Sequence, residues 1–145
     1  MAKLVIPLNV FLIAETKKKK RRLVYMTLNE WIDIHGKPQG RMIAAGYKKR
    51  IQARIRLYVA QAMVDGLEPI KQHTQLNLTW YLENRRIDLD NWSFTRKFIL
   101  DAFQETSVRG KVFLPNDNLT YIDSIHDDFT GIDKARPRVE IDWSD

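Results

Sequence analysis

"TQLNLTWYLEN" occupies residues 74–84, and its alternation decides the fold. Leu76, Leu78, Trp80 and Leu82 point one way; Asn77, Thr79 and Tyr81 point the other. That period of two predicts a half-buried strand. Upstream, "RMIAAGYKKRIQARIRLYVAQAMVDG" (residues 41–66) places Ile43, Tyr47, Ile51, Ile55, Tyr58 or Val59, and Ala62 or Met63 at spacings of three and four. This is one apolar stripe of a long helix, with Gly66 where a glycine ends it. Downstream, a second helix is expected from about residue 90 to 107, with Trp92, Phe98 or Ile99, Ala102 and Phe103 inward.

Towards the N-terminus, "KLVIPLNVFLI" (3–13) reads as an apolar strand in which Pro7 argues for an edge or a bulge. Residues 17–22, "KKKKRR", read as a hairpin tip, "RRLVYMT" as a second strand, and "HGKPQGR" (35–41) as a loop. Towards the C-terminus, "LTYIDSIHDD" and "ARPRVEIDW" read as two strands joined as a hairpin by "FTGIDK", with Gly131 in the loop. The order is β-β-α-β-α-β-β. It predicts a single α+β domain over residues 1–145, with a mixed sheet and two main helices.

Composition narrows the function classes. No apolar run approaches the ~20 residues of a membrane span, and the apolar start lacks the flanks of an export signal, so it is read as a folded strand. The absence of cysteine excludes disulfides, thiolate zinc sites and a cysteine nucleophile, and fits a cytoplasmic setting. Residues 1–75 carry fifteen Lys or Arg against five Asp or Glu, a net +10, while residues 76–145 carry nine against thirteen, a net −4. One surface of such a chain suits a polyanion and another suits cations. Arg41, Lys48, Lys49, Arg50, Arg54 and Arg56 line the long helix with no acidic residue between positions 34 and 64, so phosphate is the expected neutraliser. The "KKKKRR" run has an equally ordinary reading as a solvated loop.

"NRRIDLDNWSFTRKFILDAF" (84–103) carries the chemistry. Asp88 and Asp90 fall between a strand and a helix, and in an extended segment both point the same way. Their repulsion is of order 4 kcal/mol at ~4 Å and an effective dielectric near 20. A helix N-terminus compensates in part, and a divalent cation compensates far more; hard oxygen ligands suit magnesium or manganese. The plainer alternative is that Asp90 or Asn91 caps the helix and Asp88 pairs with Arg85 or Arg86. Asp117, in the turn "PNDN", is a further candidate, whereas Asp123, Asp127 and Asp128 lie in a strand and are read as solvent-facing. His35, His73 and His126 share no ligand spacing, and the tryptophans fall at core positions.

"RRIDLDN", then "KFILDAF", then "NDN" ahead of a strand pair resembles the RusA family of Holliday-junction resolvases, small endonucleases frequent in prophages. The likeness is best over residues 84–123. It implies a magnesium-dependent endodeoxyribonuclease, bacterial or phage-encoded, that resolves branched DNA by paired nicks in recombination and repair, acting as a homodimer. It implies that Asp88, Asp90 and Asp117 hold the metal, with manganese as a substitute, and that Lys97 is the active-site lysine. Asn91 and Asp101 match motif positions of structural role. About three extra residues in "WSFTR" precede Lys97; in a continuous helix they would rotate it by roughly 300°, unless they form a bulge or an extended turn. Lys17, Lys18, Lys19, Lys20, Arg21, Arg22, Lys48, Lys49, Arg50, Arg54, Arg85 and Arg86 are the expected DNA contacts. The competing readings are a non-catalytic nucleic-acid-binding protein on the same scaffold and a small RNA-binding adaptor.

Overall fold

The computed structural model describes residues 2–86 and 88–144. The expected strand at 3–13 divides. Leu4–Pro7 forms β1, a 3-10 turn spans Leu8–Phe11, and Leu12–Lys17 forms β2. Pro7 lacks the N–H that a continuing ladder needs, and the turn lets Leu8, Val10 and Phe11 all go inward. β2 pairs with β3 (Lys20–Tyr25) as a separate two-stranded ribbon. A short helix α1 (Leu28–His35), not anticipated, precedes the long helix α2 (Gly40–Val64).

α2 buries Ala44, Ile51, Gln52, Ile55, Val59 and Met63. Val59 and Met63 win over the alternatives Tyr58 and Ala62, and Ile43 is on the wet side. Its end is as expected: Gly66 has φ +112°, its N–H reaches Met63 O, and Leu67 N–H reaches back to Ala62 O. A side chain rarely tolerates that conformation, so glycine closes the helix.

β4 (Thr74–Leu82) is the alternating strand, buried at every even position. It is central: the sheet order is β1-β8-β4-β7, with β7 at Ile122–Ile132 and β8 at Arg138–Ser144. β4 runs antiparallel to β8 and parallel to β7. The expected β7–β8 hairpin is therefore absent. Residues 133–137 carry the chain across the end of β4, a span of roughly 10 Å that five residues cover easily. Gly131 is not a loop residue. It lies in β7 opposite Tyr81, where a Cβ would come 2.5 Å from the Tyr81 ring. Arg138 stacks on the same ring from β8, 4.1 Å from its centroid.

The expected second helix is two, α3 (Leu89–Ser93) and α4 (Arg96–Glu105). A small ribbon of β5 (Ser107–Val108) and β6 (Lys111–Val112) follows. α2 and α4 pack together, and α4 lies over Leu76, Leu78 and Ile141 with Ile99 and Phe103. Among the described residues no helix is long and apolar enough to cross a membrane.

Candidate functional site

The chain leaves β4 at Leu82 and stays at that end of the sheet. Asp133 N–H bonds Leu82 O, and the Arg85 guanidinium donates to Thr130 O. Asp88 then stands at the N-cap of α3, and Asp90 lies in its first turn. The inward residues are their neighbours. Asn91 is only 9% exposed, and its Oδ1 accepts the Asn29 N–H at 3.0 Å, in the first turn of α1. Trp92 packs edge-on against Tyr25 and Phe11. With those two side chains anchored, Asp88 and Asp90 face solvent.

Neither Asp90 nor Asn91 caps α3: Asp90 lies in its first turn, and Asn91 is turned towards α1. Asp88 holds the N-cap place without a side-chain cap bond, and Asn91 caps a different helix. Among the described residues no hydrogen bond or ion pair reaches either aspartate side chain. Arg85 is taken by Thr130 O, and Arg86 is exposed. α3 has five residues, so its dipole gives the carboxylates little support, and because Asp90 lies in the helix the extended geometry expected to aim both the same way stops at Asp88.

Asp117 is elsewhere. It lies in an exposed turn held by Asn116 and Asn118, five residues before β7 begins. Because β7 is parallel to β4, with Thr74 opposite Ile122 and Leu82 opposite Ile132, that turn is at the start of β4 and Asp88 is beyond its end. The nine residues of β4 at ~3.3 Å per step separate the two ends by roughly 26 Å. The chain does not bring Asp117 to the end of β4 where Asp88 and Asp90 lie, and among the described residues no group of three potential ligands comes together.

The extra residues before Lys97 do form an interruption. Phe94 and Thr95 make a turn in which Thr95 Oγ1 donates to Trp92 O at 2.6 Å, and α4 starts afresh at Arg96. Lys97 Nζ then lies 3.8 Å from Asp101, which also pairs with Lys48 at 3.1 Å. Asp101 thus ties α4 to α2. Arg96 is held by Asp127 at 2.6 Å, and the Trp80 indole N–H donates to the same carboxylate. Asp127, taken from the sequence as solvent-facing, is largely buried by these two partners. The signal for it was a core tryptophan whose N–H needs an acceptor.

The cations divide into two groups. On α2, Arg54 donates to Val10 O and Leu12 O, Lys48 pairs with Asp101, and Arg56 pairs with Glu105. α4 and the backbone neutralise those three, where phosphate was expected. Lys49 and Arg50 remain exposed, Arg50 over the Tyr47 ring. The ribbon forms the second group. Lys18, Lys19, Lys20, Arg21 and Arg22 are exposed, and Arg22 pairs with Glu15; the side chain of Lys17 lies outside the described residues. Lys18 and Lys19 make the two-residue turn with φ of +50° and +63°. Each left-handed non-glycine residue costs about 1–2 kcal/mol, and repulsion among the cations adds to it.

Tyr25 connects the ribbon to the acidic end. Its hydroxyl donates to Glu83 at 2.7 Å, and burial first, then that bond, push the phenol pKa well above its ordinary value. Asp128 is held below the usual carboxylate range, chiefly by the Thr130 N–H, and Asp133 chiefly by the Arg138 guanidinium. His35, His73 and His126 are exposed, and His73 faces Asp123. No family model matches the chain, and no curated protein or solved structure is significantly similar to it, so the likeness to RusA enzymes rests on the quoted motifs.

Proposed function

We propose that the chain is a DNA-binding protein that cuts branched DNA as a magnesium-dependent endonuclease of the RusA type, working as a homodimer. The observation that carries this reading is the pair Asp88 and Asp90: exposed, without partners among the described residues, and fixed outward by the buried Asn91 and Trp92. Two carboxylates suit magnesium, which takes one or two protein ligands and completes its shell with water and substrate phosphate. Bound there, the ion would supply an activated water and polarise a phosphate oxygen. The chain's own part is to hold the two ligands on a rigid segment and to bring the backbone of the DNA to them. The exposed Arg86 and the ribbon cations offer that attraction.

Asp88→Asn and Asp90→Asn abolish nicking of a synthetic four-way junction in magnesium, while a gel-shift titration shows binding retained or strengthened, since each change removes an anion that repels phosphate. Wild-type nicking by both variants refutes the reading. Asp117→Asn decides the ligand set: unchanged nicking means the pair acts without it, and loss of nicking means that a second protomer brings it. Sedimentation equilibrium showing only a 17.1 kDa monomer, with and without junction DNA, would remove the dimer.

A second reading has its own observation. Lys97 is tied to Asp101 and Asp117 stands at the far end of the sheet, which suits a non-catalytic DNA-binding protein on the same scaffold. Binding of the junction without nicks in magnesium or manganese selects it.

A further inference from the structure

Resting on the DNA-binding part of the reading above, we propose that the β2–β3 ribbon enters the major groove of a duplex arm, between its two rows of phosphates. The first argument is the distribution of charge. Side chains alternate across a ribbon, and the register places Lys20 and Arg22 on one face and Arg21 on the other, with Lys18 and Lys19 at the tip. All five are exposed, and since Arg22 pairs with Glu15 the charge of that face rests on Lys20. A surface that lies along one strand needs cations on one face only. Cations on both faces and the tip match a cleft with phosphates on each side.

The second argument is the turn. A two-residue hairpin loop with both residues left-handed is most easily made by Asn-Gly, and this one is Lys-Lys, with φ of +50° and +63°. Stability alone selects against lysine at both positions. Their charge at the tip is the compensating gain.

The third argument is shape. The base of the ribbon is anchored: Ile13 is buried, the Leu12 and Ala14 carbonyls accept from Arg54 and Tyr47, and Tyr25 packs on Trp92. The outer part, residues 18–23, is exposed. A two-stranded ribbon fits the major groove, about 12 Å wide, and not the minor groove, about 6 Å wide. Leu23, 67% exposed on the Arg21 face, offers the apolar contact that a thymine methyl accepts there.

The test uses the full chain with a labelled 20-base-pair duplex and a single strand of the same length. Salt titrations compare wild type with Lys20→Ala, Arg21→Ala and the double variant Lys18→Asn/Lys19→Gly. The inference expects each single change to reduce the log–log salt slope on duplex by ~0.9, and the double change by ~1.8. The double variant also unfolds at higher urea, because its turn is relaxed; that separates lost binding from lost folding. Dimethyl sulfate should find guanine N7 protected by wild type and not by the double variant. A slope change confined to one of Lys20 and Arg21, unprotected N7 on bound duplex, or tighter binding to the single strand overturns groove entry while leaving DNA binding intact. A wild-type protein that binds neither DNA overturns both.

Discussion

Asn91 should prove to be the residue that holds the candidate site in place. Its Oδ1 is the acceptor for the Asn29 N–H at 3.0 Å, and Thr27, at the N-cap of α1, makes no side-chain cap bond of its own. Replacing a capping side chain by alanine costs about 1 kcal/mol, within a range of 0.5–2. Asn29 is exposed, so water can reach the freed N–H, and the full penalty of a buried unsatisfied donor, ~1–3 kcal/mol, does not apply. The lost amide packing of a 9% exposed side chain brings the total for Asn91→Ala to about 1–2 kcal/mol. For a chain of this length that lowers the melting temperature by roughly 3–8 °C. Asn91→Asp keeps an oxygen acceptor in the same place and should recover most of the loss. Urea unfolding of the three proteins gives the stabilities, and hydrogen exchange at the Asn29 amide reports the bond directly. Junction nicking should fall in Asn91→Ala although both aspartates remain, because the segment that aims them has lost one of its two anchors. An Asn91→Ala protein as stable as wild type, with an unchanged Asn29 exchange rate, would refute the reasoning.

Other outcomes follow from the same contacts. Arg54→Met leaves the Val10 and Leu12 carbonyls without their charged donor and should cost about 2–3 kcal/mol in urea unfolding, yet flatten the DNA salt dependence less than Arg50→Ala does. Tyr25 has a folded pKa above its unfolded value, so its contribution to stability is complete below pH ~10 and is lost as the pH rises further; Tyr25→Phe should remove that part of the alkaline decline in a pH series of urea midpoints. Gly131→Ala drives a methyl into the Tyr81 ring and should destabilise by about 1–3 kcal/mol, with the loss reduced in a Tyr81→Ala background.

Local patterns were legible in the sequence and pairings were not. The alternation of β4, the stripe of α2 and the Gly66 stop each follow from a few neighbouring side chains, and the structure agrees. The β7–β8 hairpin failed because a short connection reads the same whether the strands pair with each other or flank a third. The pairing was decided by β4, which holds a neighbour on each side and places Tyr81 between Gly131 and Arg138. The unpaired cations on α2 failed for a similar reason. Glu15 and Arg22 are close in sequence, but Asp101 and Glu105 reach Lys48 and Arg56 only through the packing of α4 on α2.

The separation of Asp117 from Asp88 has a topological cause. β4 and β7 are parallel, so the chain must return along the sheet between them, and α3 with α4 makes that return. Whatever follows the first strand and whatever precedes the second then lie at opposite ends. A motif that spans such a unit can have the right residues in the right order and still not meet in space. Other carboxylates lie along the second half of the parallel pair and at its carboxyl end, from Asp127, level with Leu78, to Asp133, each with a partner of its own. Glu83 is bonded by Tyr25, Asp127 by Arg96 and Trp80, Asp128 by Thr130, and Asp133 by Arg138. Each of those has its charge answered from within the fold. Asp88 and Asp90 at the same end do not, among the described residues, and their neighbours Asn91 and Trp92 hold them outward. Two exposed carboxylates left unanswered add nothing to stability, and under the function proposed above a divalent cation and the phosphate it brings would answer them.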